Sequence, residues 1–431
     1  IKPYVCGGFG NKQEVLYEPL NAFLTMQVGG RPVKIELTRE ETFTNTRTRH
    51  SIEYDMEAGV DAEGHLLAKE MTTYSNQGAY ASHGHAIAAN GLTASRLQYA
   101  CPNIRGEAYT VYTNCPTAGA MRGYGIPQVC FATESFMDDI AYEIGMDPLE
   151  FRRKNLIHGY YEDAYLKPIA ANTNGIFECL EKGAEYIHWD EKRKAYQNQT
   201  GDIRRGVGMA LFSYKTGVWP ISLEIAGARL SLNQDGSVQL QVGATEIGQG
   251  ADTVFSQMAA ETLHMDISRV HIVTQQDTDV TPFDTGAYAS RQSFVTGTAV
   301  KECAQQLKQK ILEYARTLVP GNVDRLELED GYILADGKPA ISLEDLAMES
   351  YYSLSNSSVL TAEVSRQVKK NTVASGCCFA EVEVDMKLGK IKVLDIVNVH
   401  DSGTLLNPQL AAMQVHGGMF MGIGYGVSEQ L

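Results

Sequence analysis

The sequence of 431 residues contains neither a long apolar run nor a dense basic cluster. A membrane-spanning helix needs about 20 consecutive apolar residues, and no stretch approaches that length. The 37 Lys and Arg residues are outnumbered by 52 Asp and Glu residues, which leaves a formal net charge of −15. Because a negative surface repels phosphate backbones and anionic lipids, we expect neither nucleic acid nor a membrane as a partner.

Cysteine is scarce as well, with eight residues and no pair at the CxxC spacing. Such a low content argues against a disulfide framework and favours the reducing cytosol, so a cytoplasmic location is expected. The spacing also argues against an iron–sulfur cluster or a structural zinc site on this chain. We therefore expect any electron relay that serves this chain to lie on another subunit.

The overall composition and length are those of a folded protein with more than one domain. Hydrophobic residues make up 44% and charged residues 21% of the chain, and its length is enough for two or three domains. Residues 155–205 are polar and poorly periodic, apart from a helical pattern over 177–187. We predict an N-terminal domain over residues 1–160, a linker with a short helix over 161–204 and a C-terminal domain over 205–431.

Three segments alternate apolar and polar residues on both sides of a turn that contains glycine: residues 51–78, 228–250 and 380–403. This alternation predicts a β-hairpin in each segment. Apolar residues at spacings of three and four, typical of an amphipathic helix, follow residue 127 and residue 250. We therefore predict an α+β fold in two domains built from repeated hairpin and helix units, although three unrelated hairpins would produce the same alternation.

Four glycine-rich loops stand out as candidates for helix N-termini, at residues 7–12, 122–127, 243–250 and 414–418. The unpaired backbone N–H groups and the dipole at a helix N-terminus attract anions and oxo groups. One such loop is a weak signal, whereas four predict a large polar cofactor held mostly by backbone groups. We expect the four loops to meet in one cleft.

Two shorter patterns also have a local interpretation. Asn407 followed by Pro408 predicts a helix start, with Asn as the N-cap and Pro in the first turn. His83 and His85 form an HxH pattern that could bind a metal, but no cysteine or carboxylate lies beside them in the sequence. A structural role is therefore the favoured interpretation of these histidines.

Five motifs occur in an order found in one protein family, at residues 7–12, 31–41, 122–128, 245–250 and 414–418. They include the sequences GGFGNK, RGYGIPQ and TEIGQG. The chain resembles the molybdenum-binding subunit of the xanthine dehydrogenase and aldehyde oxidoreductase family, and most of all that of bacterial xanthine dehydrogenases with separate subunits. The resemblance spans nearly the whole chain and implies the molybdopterin-binding fold of this family, with both domains incomplete at the chain ends.

This resemblance implies an enzyme that hydroxylates an aromatic N-heterocycle, such as the purines xanthine and hypoxanthine, with oxygen from water. Its cofactor would be a molybdenum–pyranopterin, in the plain or the cytosine dinucleotide form. Electrons would leave through an iron–sulfur subunit with [2Fe–2S] clusters and an FAD subunit, in a dimer of heterotrimers. A hydroxylase for nicotinate or an aldehyde, a non-catalytic pterin-carrying or scaffolding subunit, and an accessory protein for cofactor insertion are the alternatives.

The resemblance also assigns roles to individual residues. The cofactor-binding residues are Gly8, Phe9, Gly10, Arg122, Gly248, Gln249, Gly250, Ala289, Ser290 and Gln414. Three of them, Phe9, Arg122 and Ala289, are expected beside the molybdenum. No catalytic residue is assigned within the chain, because the catalytic glutamate of the family is expected beyond Leu431.

Two further residues, Gln13 and Tyr124, are expected to contact the substrate. Tyr124 occupies the place of an aromatic ring that stacks on the substrate in the family. Gln13 stands where purine-oxidising relatives often have a glutamate, so a neutral donor and acceptor replaces a charged acceptor. Capping of the following helix is the alternative role of Gln13.

Overall fold

The computed structural model describes residues 2–162, 168–170 and 175–429, and the α+β class predicted from the sequence is confirmed. The helices are α1 (Glu18–Gln27), α2 (Arg39–Asn45), α3 (Gly84–Ala94), α4 (Ile126–Glu143), α5 (Pro148–Asn155), α6 (Ile176–Ile187), α7 (Trp189–Ala195), α8 (Ala251–Leu263), α9 (Gln292–Leu318), α10 (Leu343–Tyr352) and α11 (Pro408–Val427). Among the helices of these described residues, none is both long and apolar enough to cross a membrane.

The strands are β1 (Ser51–Val60), β2 (Leu66–Gly78), β3 (Asn103–Tyr112), β4 (Tyr160–Glu162), β5 (Pro168–Ala170), β6 (Ile203–Thr216), β7 (Ile225–Leu232), β8 (Val238–Val242), β9 (Val270–Ile272), β10 (Leu326–Glu329), β11 (Tyr332–Ala335), β12 (Lys338–Ser342), β13 (Thr361–Gln367), β14 (Thr372–Asp385) and β15 (Lys390–Asp401). All three predicted hairpins are present, because β1 pairs with β2, β7 with β8 and β14 with β15 in antiparallel register.

The chain forms two compact units, and each is discontinuous in sequence. The first unit comprises Ile1–Gly7, Lys215–Thr372 and Thr404–Ala411. The second unit comprises Gly8–Tyr214, Val373–Gly403 and Ala412–Leu431. This division differs from the predicted one into 1–160, 161–204 and 205–431. The reason is long-range strand pairing, since β14 lies between β15 and β6 in one sheet and so joins distant parts of the chain.

Helices α6 and α7, which lie within the segment 161–204 expected to be a linker, contribute to the core of the second unit. The helical pattern over 177–187 forms α6, and α7 follows it directly. Leu180, Ile187 and Trp189 from these helices are buried in the same cluster as Leu211 of β6 and Phe379 of β14. Although the segment is polar on average, α6 is amphipathic and its apolar residues fall on one face.

The second unit also contains the sheet β1-β2-β3, in which β2 and β3 run parallel. Parallel neighbours need a crossover connection, and α3 supplies it. Buried Ile87 and Ala88 lie on α3, while Met71 lies buried on β2. This arrangement fixes the start of α3, where His83 is the N-cap residue.

A buried ion-pair network links the helices of the second unit. The side chain of Arg152 on α5 has no exposed surface, and its Nε donates to Glu134 Oε2 on α4 at 2.8 Å. Arg152 Nη1 donates to Asp138 Oδ1 at 2.6 Å, and Glu134 Oε1 accepts a hydrogen bond from the Tyr99 hydroxyl at 2.7 Å. The Leu211 N–H also donates to Glu134, so α4, α5 and β6 share one charge network.

The first unit is built around α9, which packs with α8 against the sheet β13-β7-β8-β9. Its buried side chains recur every three or four residues, from Val295 through Cys303 to Ile311. The helix includes Gly297, a weak helix former whose missing side chain leaves room for Met258.

We expect Arg152→Met to lower the free energy of unfolding of the second unit by about 3–5 kcal/mol, because it leaves the Glu134 carboxylate buried without its partner. Arg153→Met is the matched control, since the neighbouring Arg153 pairs with Glu150 and Glu181 at the surface. Loss of that exposed pair should cost no more than about 1 kcal/mol. Urea denaturation of the two variants measures the difference, and equal midpoints would contradict the expected burial cost.

Candidate functional site

Several residues assigned to the site have a strained backbone. Phe9, Tyr124, Ala289 and Ser290 have φ angles of 51°, 48°, 49° and 52°. They account for four of the nine non-glycine residues with positive φ in the described part of the chain. Each such residue costs on the order of 1–3 kcal/mol and persists only where surrounding contacts enforce it, a pattern concentrated at functional sites.

The loop at residues 7–12 makes close backbone approaches. Gly7 belongs to the first unit, where its N–H donates to the Ile247 carbonyl at 2.7 Å. Gly10 belongs to the second unit and has φ of 100°, and a Cβ there would lie 2.9 Å from the carbonyl carbon of Ala120. Gly8 is buried, whereas the Phe9 side chain is 52% exposed. Packing therefore explains the glycine at position 10, while the Phe9 ring stays half exposed.

This first loop does not lead directly into a helix, which corrects the expectation from its glycines. Turns occupy the residues after it, and α1 begins only at Glu18. The Glu18 carboxylate accepts hydrogen bonds from the N–H groups of Leu16 and Tyr17. Gln13 lies four residues before the N-cap residue Tyr17 and is exposed, so it does not cap α1.

Arg122 brings two of the assigned residues together in the second unit. Its guanidinium carbon lies 5.9 Å from the centre of the Phe9 ring. Its Nη2 donates to the carbonyl and to the Oε1 of Gln414, at 2.7 and 2.8 Å. Phe9, Arg122 and Gln414 thus form one cluster, although they are far apart in sequence.

The segment 414–418 lies inside α11 and not before a helix, which is a second correction. The helix begins at Pro408, and the predicted N-cap is confirmed because Asn407 Oδ1 accepts a hydrogen bond from the Leu410 N–H at 3.0 Å. A Cβ on Gly417 would lie 2.9 Å from Arg122 Nη1. The glycine in this motif therefore makes room for a guanidinium and does not expose backbone N–H groups.

The Arg122 guanidinium keeps hydrogen-bonding capacity for a ligand. Burial lowers its pKa, but an arginine side chain stays protonated in proteins. Besides the bonds to Gln414, Nη1 has the Met421 sulfur as an acceptor at 3.9 Å. A weak sulfur acceptor leaves N–H groups of this cation available to an anionic or oxo group.

Tyr124 lies in a loop that its neighbours hold rigidly. Gly123 and Gly125 on either side have φ of 95° and 92°. The Tyr124 N–H donates to the Met121 carbonyl and its carbonyl accepts from Asn90 Nδ2, both at 2.8 Å. Its half-buried hydroxyl lies 2.8 Å from His83 Nδ1, and burial raises the pKa of Tyr124 to about 12. The loop leads into α4, as predicted.

Glu14, next to Gln13, was missed by sequence reasoning and lies in a polar cluster of the second unit. Its carboxylate accepts hydrogen bonds from Arg47 Nε at 2.5 Å and from the Ser82 hydroxyl. Burial alone would raise the pKa of Glu14, but the Ser82 and Arg47 contacts lower it further than burial raises it. No local motif signals this cluster, because its members come from separate parts of the chain.

In the first unit, the side chain of Gln249 is held within its own loop. Gln249 Oε1 accepts from the Ile247 N–H at 2.7 Å, while its Nε2 donates to the Thr245 carbonyl at 3.1 Å and to Gln292 Oε1 at 2.5 Å. Both amide protons are therefore used, and a lone pair on Oε1 remains for a further donor. Gln292, which sequence reasoning did not single out, thus orients Gln249 from the start of α9.

The Glu246 carboxylate occupies the anion-binding position of the loop 243–250. It accepts backbone hydrogen bonds from Gly248 at 2.6 Å, Gly250 at 3.0 Å and Asp252 at 3.1 Å. Gly248 and Gly250 belong to the loop for which the sequence predicts contact with a cofactor. Glu246 satisfies their N–H groups in this structure, and the binding of a cofactor by the loop stays a prediction.

A second buried ion pair anchors Ala289 and Ser290. The Arg291 side chain has no exposed surface, and it donates to Glu224 Oε2 through Nε and to Asp284 Oδ1 through Nη1, both at 2.6 Å. The Ala289 carbonyl accepts a hydrogen bond from the Gly217 N–H at 2.9 Å. These contacts fix the strained pair directly before α9 begins.

The assigned residues thus form two groups, one in each unit. The second unit holds Phe9, Gly10, Arg122, Tyr124 and Gln414, and the first unit holds the loop of Gln249 and the pair Ala289–Ser290. Convergence of all four loops on one cleft stays a prediction. In the described part of the chain, no group of three or more His, Cys, Asp or Glu side chains could hold a metal ion.

Comparison with known proteins supplies the family context. Two family profiles, each described as a molybdopterin cofactor-binding domain, match residues 1–156 and 182–431. The chain is 48% identical over 440 residues to the xanthine dehydrogenase molybdenum-binding subunit of Escherichia coli O157:H7, covering 100% of this chain and 58% of that relative. The chain therefore spans little more than half the length of this curated relative.

More distant relatives share most of the chain. The nicotinate hydroxylase of Emericella nidulans is 28% identical over 437 residues, covering 98% of this chain and 31% of that relative. The solved structure of quinoline 2-oxidoreductase from Pseudomonas putida 86 matches with a TM-score of 0.87 at 24% identity, covering 96% of this chain and 55% of that chain. At that identity, the last comparison supports the fold alone.

The Glu246 carboxylate predicts a pH-dependent contribution to stability. Burial alone would raise its pKa, but the hydrogen bonds from Gly250, Asp252 and Gly248 and the charge of Lys2 lower it below its usual value of 4.5. A depressed carboxyl pKa stabilises the folded state above pH 4.5, and this stabilisation is lost as the pH falls through the folded pKa.

We therefore expect Glu246→Gln to reduce stability at pH 7 by about 1 kcal/mol, the usual contribution of a helix cap, and to reduce it less at pH 3. Glu261→Gln, at an exposed position in α8, is the matched control and should have little effect at either pH. Thermal unfolding of both variants beside the wild type measures the difference. A Glu246→Gln effect that is the same at both pH values would refute the capping role.

Proposed function

This chain belongs to the molybdopterin cofactor-binding domain family represented by the molybdenum-binding subunits of xanthine dehydrogenases, and we propose that it holds a molybdenum–pyranopterin cofactor in a hydroxylase. The observation that carries this proposal is the cluster of Phe9, Arg122 and Gln414. There a charged guanidinium is fixed by two hydrogen bonds and keeps N–H groups for a further acceptor. A pyranopterin with its phosphate and metal–oxo groups offers acceptors of this kind.

The remaining assigned residues suit contacts to the same cofactor. Gln249 would accept one hydrogen bond from a pterin N–H, because its amide protons are already bound by Thr245 and Gln292. The strained pair Ala289–Ser290 of the first unit would lie against the metal side of the cofactor. Gly8, Gly10, Gly248 and Gly250 would shape these loops and not donate directly, since close backbone contacts or Glu246 already account for Gly10, Gly248 and Gly250.

When bound, such a cofactor supplies oxygen transfer from water and accepts two electrons from the substrate. The chain's own residues would bind and orient. Arg122 would place a fixed positive charge beside the exposed Phe9 ring, and this charge favours anionic groups. Tyr124, held in its strained loop, would offer a ring of fixed orientation to the substrate.

We propose an aromatic N-heterocycle as substrate, with a purine such as xanthine or hypoxanthine as the first candidate. The support is the xanthine dehydrogenase relative, together with the ring of Tyr124 and the amide of Gln13. Nicotinate is the second candidate, because the name of one relative specifies nicotinate hydroxylation. The proposed setting is a cytosolic dimer of heterotrimers with an iron–sulfur subunit and an FAD subunit, in keeping with the absence of CxxC cysteines from this chain.

We expect Arg122→Met to lower the molybdenum content of the purified enzyme at least several-fold, because the cofactor loses a charge-assisted hydrogen-bond donor. Arg39→Met is the matched control, since Arg39 stacks on Phe43 at the surface and should not affect the metal. Elemental analysis per polypeptide measures the content. An unchanged molybdenum content in Arg122→Met would remove the main support for this site. A wild type with full molybdenum content that oxidises no N-heterocycle would favour a non-catalytic pterin-carrying subunit.

We expect Gln13→Ala to lower kcat/KM for xanthine or hypoxanthine without loss of molybdenum. The lost transition-state stabilisation should be about 1–3 kcal/mol, the scale of one polar contact left unmade. Gln27→Ala removes an exposed glutamine at the end of α1 and is the matched control. Steady-state kinetics with an artificial electron acceptor measures both variants. A kcat/KM equal to that of the wild type would exclude Gln13 from substrate binding.

A further inference from the structure

A cavity in the second unit combines basic residues with apolar walls. Residues of β2, α3 and β3 line it, and its volume is about 170 Å³. A single water needs roughly 10–15 Å³ of such space, so the cavity has room for a small polyatomic ligand. Among the described residues, its lining includes Lys69, Arg96 and Arg105 and no acidic residue, although the whole chain carries a formal charge of −15.

The ammonium group of Lys69 is buried at the wall of this cavity. Lys69 is only 3% exposed, and its Nζ donates to the Ser95 carbonyl at 2.6 Å. Ser95 is the C-cap residue of α3, and a helix C-terminus attracts a cation. Since a protonated lysine has three N–H groups, capping of α3 uses one of them, and two have no acceptor among the described residues.

The charge of Lys69 is not balanced by a neighbouring carboxylate. Burial is the main cause that lowers the pKa of Lys69 to about 8, and the charge of Arg96 lowers it as well. Cys101 and Glu134 act in the opposite direction, but the Glu134 carboxylate is already paired with Arg152 at 2.8 Å. No carboxylate in the described part of the chain forms an ion pair with Lys69, which stays mostly protonated at neutral pH.

The two arginines of the lining differ in what they contribute. The guanidinium of Arg105 pairs with Glu70 and Glu107 at the surface, so its charge is compensated there. The charge of Arg96 acts on Lys69 and adds to the positive potential of the cavity. A buried charge without a partner is costly, and an anion in the adjoining space would offset that cost.

We propose that this cavity binds a small oxyanion, which accepts hydrogen bonds from the two remaining N–H groups of Lys69 and neutralises its charge. An anion of the size of phosphate or a short carboxylate suits both the volume and the donors. None of the residues assigned to the cofactor or the substrate lines this cavity. The inference therefore goes beyond the proposed function, and its tests do not depend on substrate turnover.

The first test is a calorimetric titration of the purified enzyme with selenate at pH 7. Lys69→Met should weaken binding at one site about 10-fold or more, the value of one charged hydrogen bond. Lys154→Met is the matched control, because Lys154 also donates to a backbone carbonyl but is exposed, and it should leave the titration unchanged. A titration of Lys69→Met equal to that of the wild type would overturn the proposal.

The second test uses pH. Selenate stays fully ionised at neutral and alkaline pH, so a change in its affinity reports on the protein. Affinity at the wild-type site should fall several-fold between pH 7 and about pH 9.5, because Lys69 loses its proton as the pH rises through its pKa of about 8. An affinity that is the same at both pH values would contradict a role for the Lys69 charge.

A crystal structure of the wild-type enzyme soaked in selenate locates the ion by the anomalous scattering of selenium and does not rely on a variant. The expected peak lies at hydrogen-bond distance from Lys69 Nζ. Selenium peaks only elsewhere would overturn the proposal and leave Lys69 as the cap of α3. A peak at Lys69 without a calorimetric signal at pH 7 would indicate an adventitious ion only, which also contradicts the proposal.

Discussion

A fully buried arginine saturated by carboxylates is the interaction on which each unit depends. Arg291 pairs with Glu224 and Asp284 in the first unit, and Arg152 pairs with Glu134 and Asp138 in the second. A buried guanidinium is costly unless its donors are satisfied, so these networks allow little rearrangement around them. Arg291 directly precedes α9, while Glu134 lies on α4. Each network therefore anchors the helix that follows a strained loop, which is Ala289–Ser290 in one case and Tyr124 in the other.

This anchoring explains how a strained backbone can persist. A non-glycine residue with positive φ relaxes unless its neighbours over-determine its position. Ala289 is held by Gly217, and Tyr124 is held by Met121 and Asn90, in addition to the helices that follow them. Both loops can therefore keep side chains and carbonyls in fixed positions toward a ligand, with the helices behind them as rigid supports.

The charge distribution also changes how the glycine loops are understood. Helix N-termini attract anions, and in the loop 243–250 the anion is Glu246 of the chain itself. Arg122 is a cation with N–H groups to spare, and Gly417 leaves room for it against α11 while Gln414 holds it by hydrogen bonds. Recognition of a polar cofactor in this protein would thus rely on a guanidinium and side-chain amides more than on backbone N–H groups. Glycine in these motifs serves mainly close packing.

Features that depend on neighbours within a few residues could be predicted from the sequence alone. The three hairpins, the helices predicted after residues 127 and 250 and the N-cap at Asn407 follow from spacings along the chain. Features that depend on partners of polar groups could not. Arg122 meets Gln414 across 292 positions, and Glu14 meets His83 across 69, so no local pattern encodes either contact.

The division into units has the same origin, because β14 and β15 return to pair near β6 and make both units discontinuous. Periodicity and capping are short-range properties that the sequence determined by itself. Only the tertiary structure decided the pairing of donors with acceptors and the order of strands in each sheet, because both depend on distant segments coming together. A buried polar group is satisfied by the partner that folding places beside it.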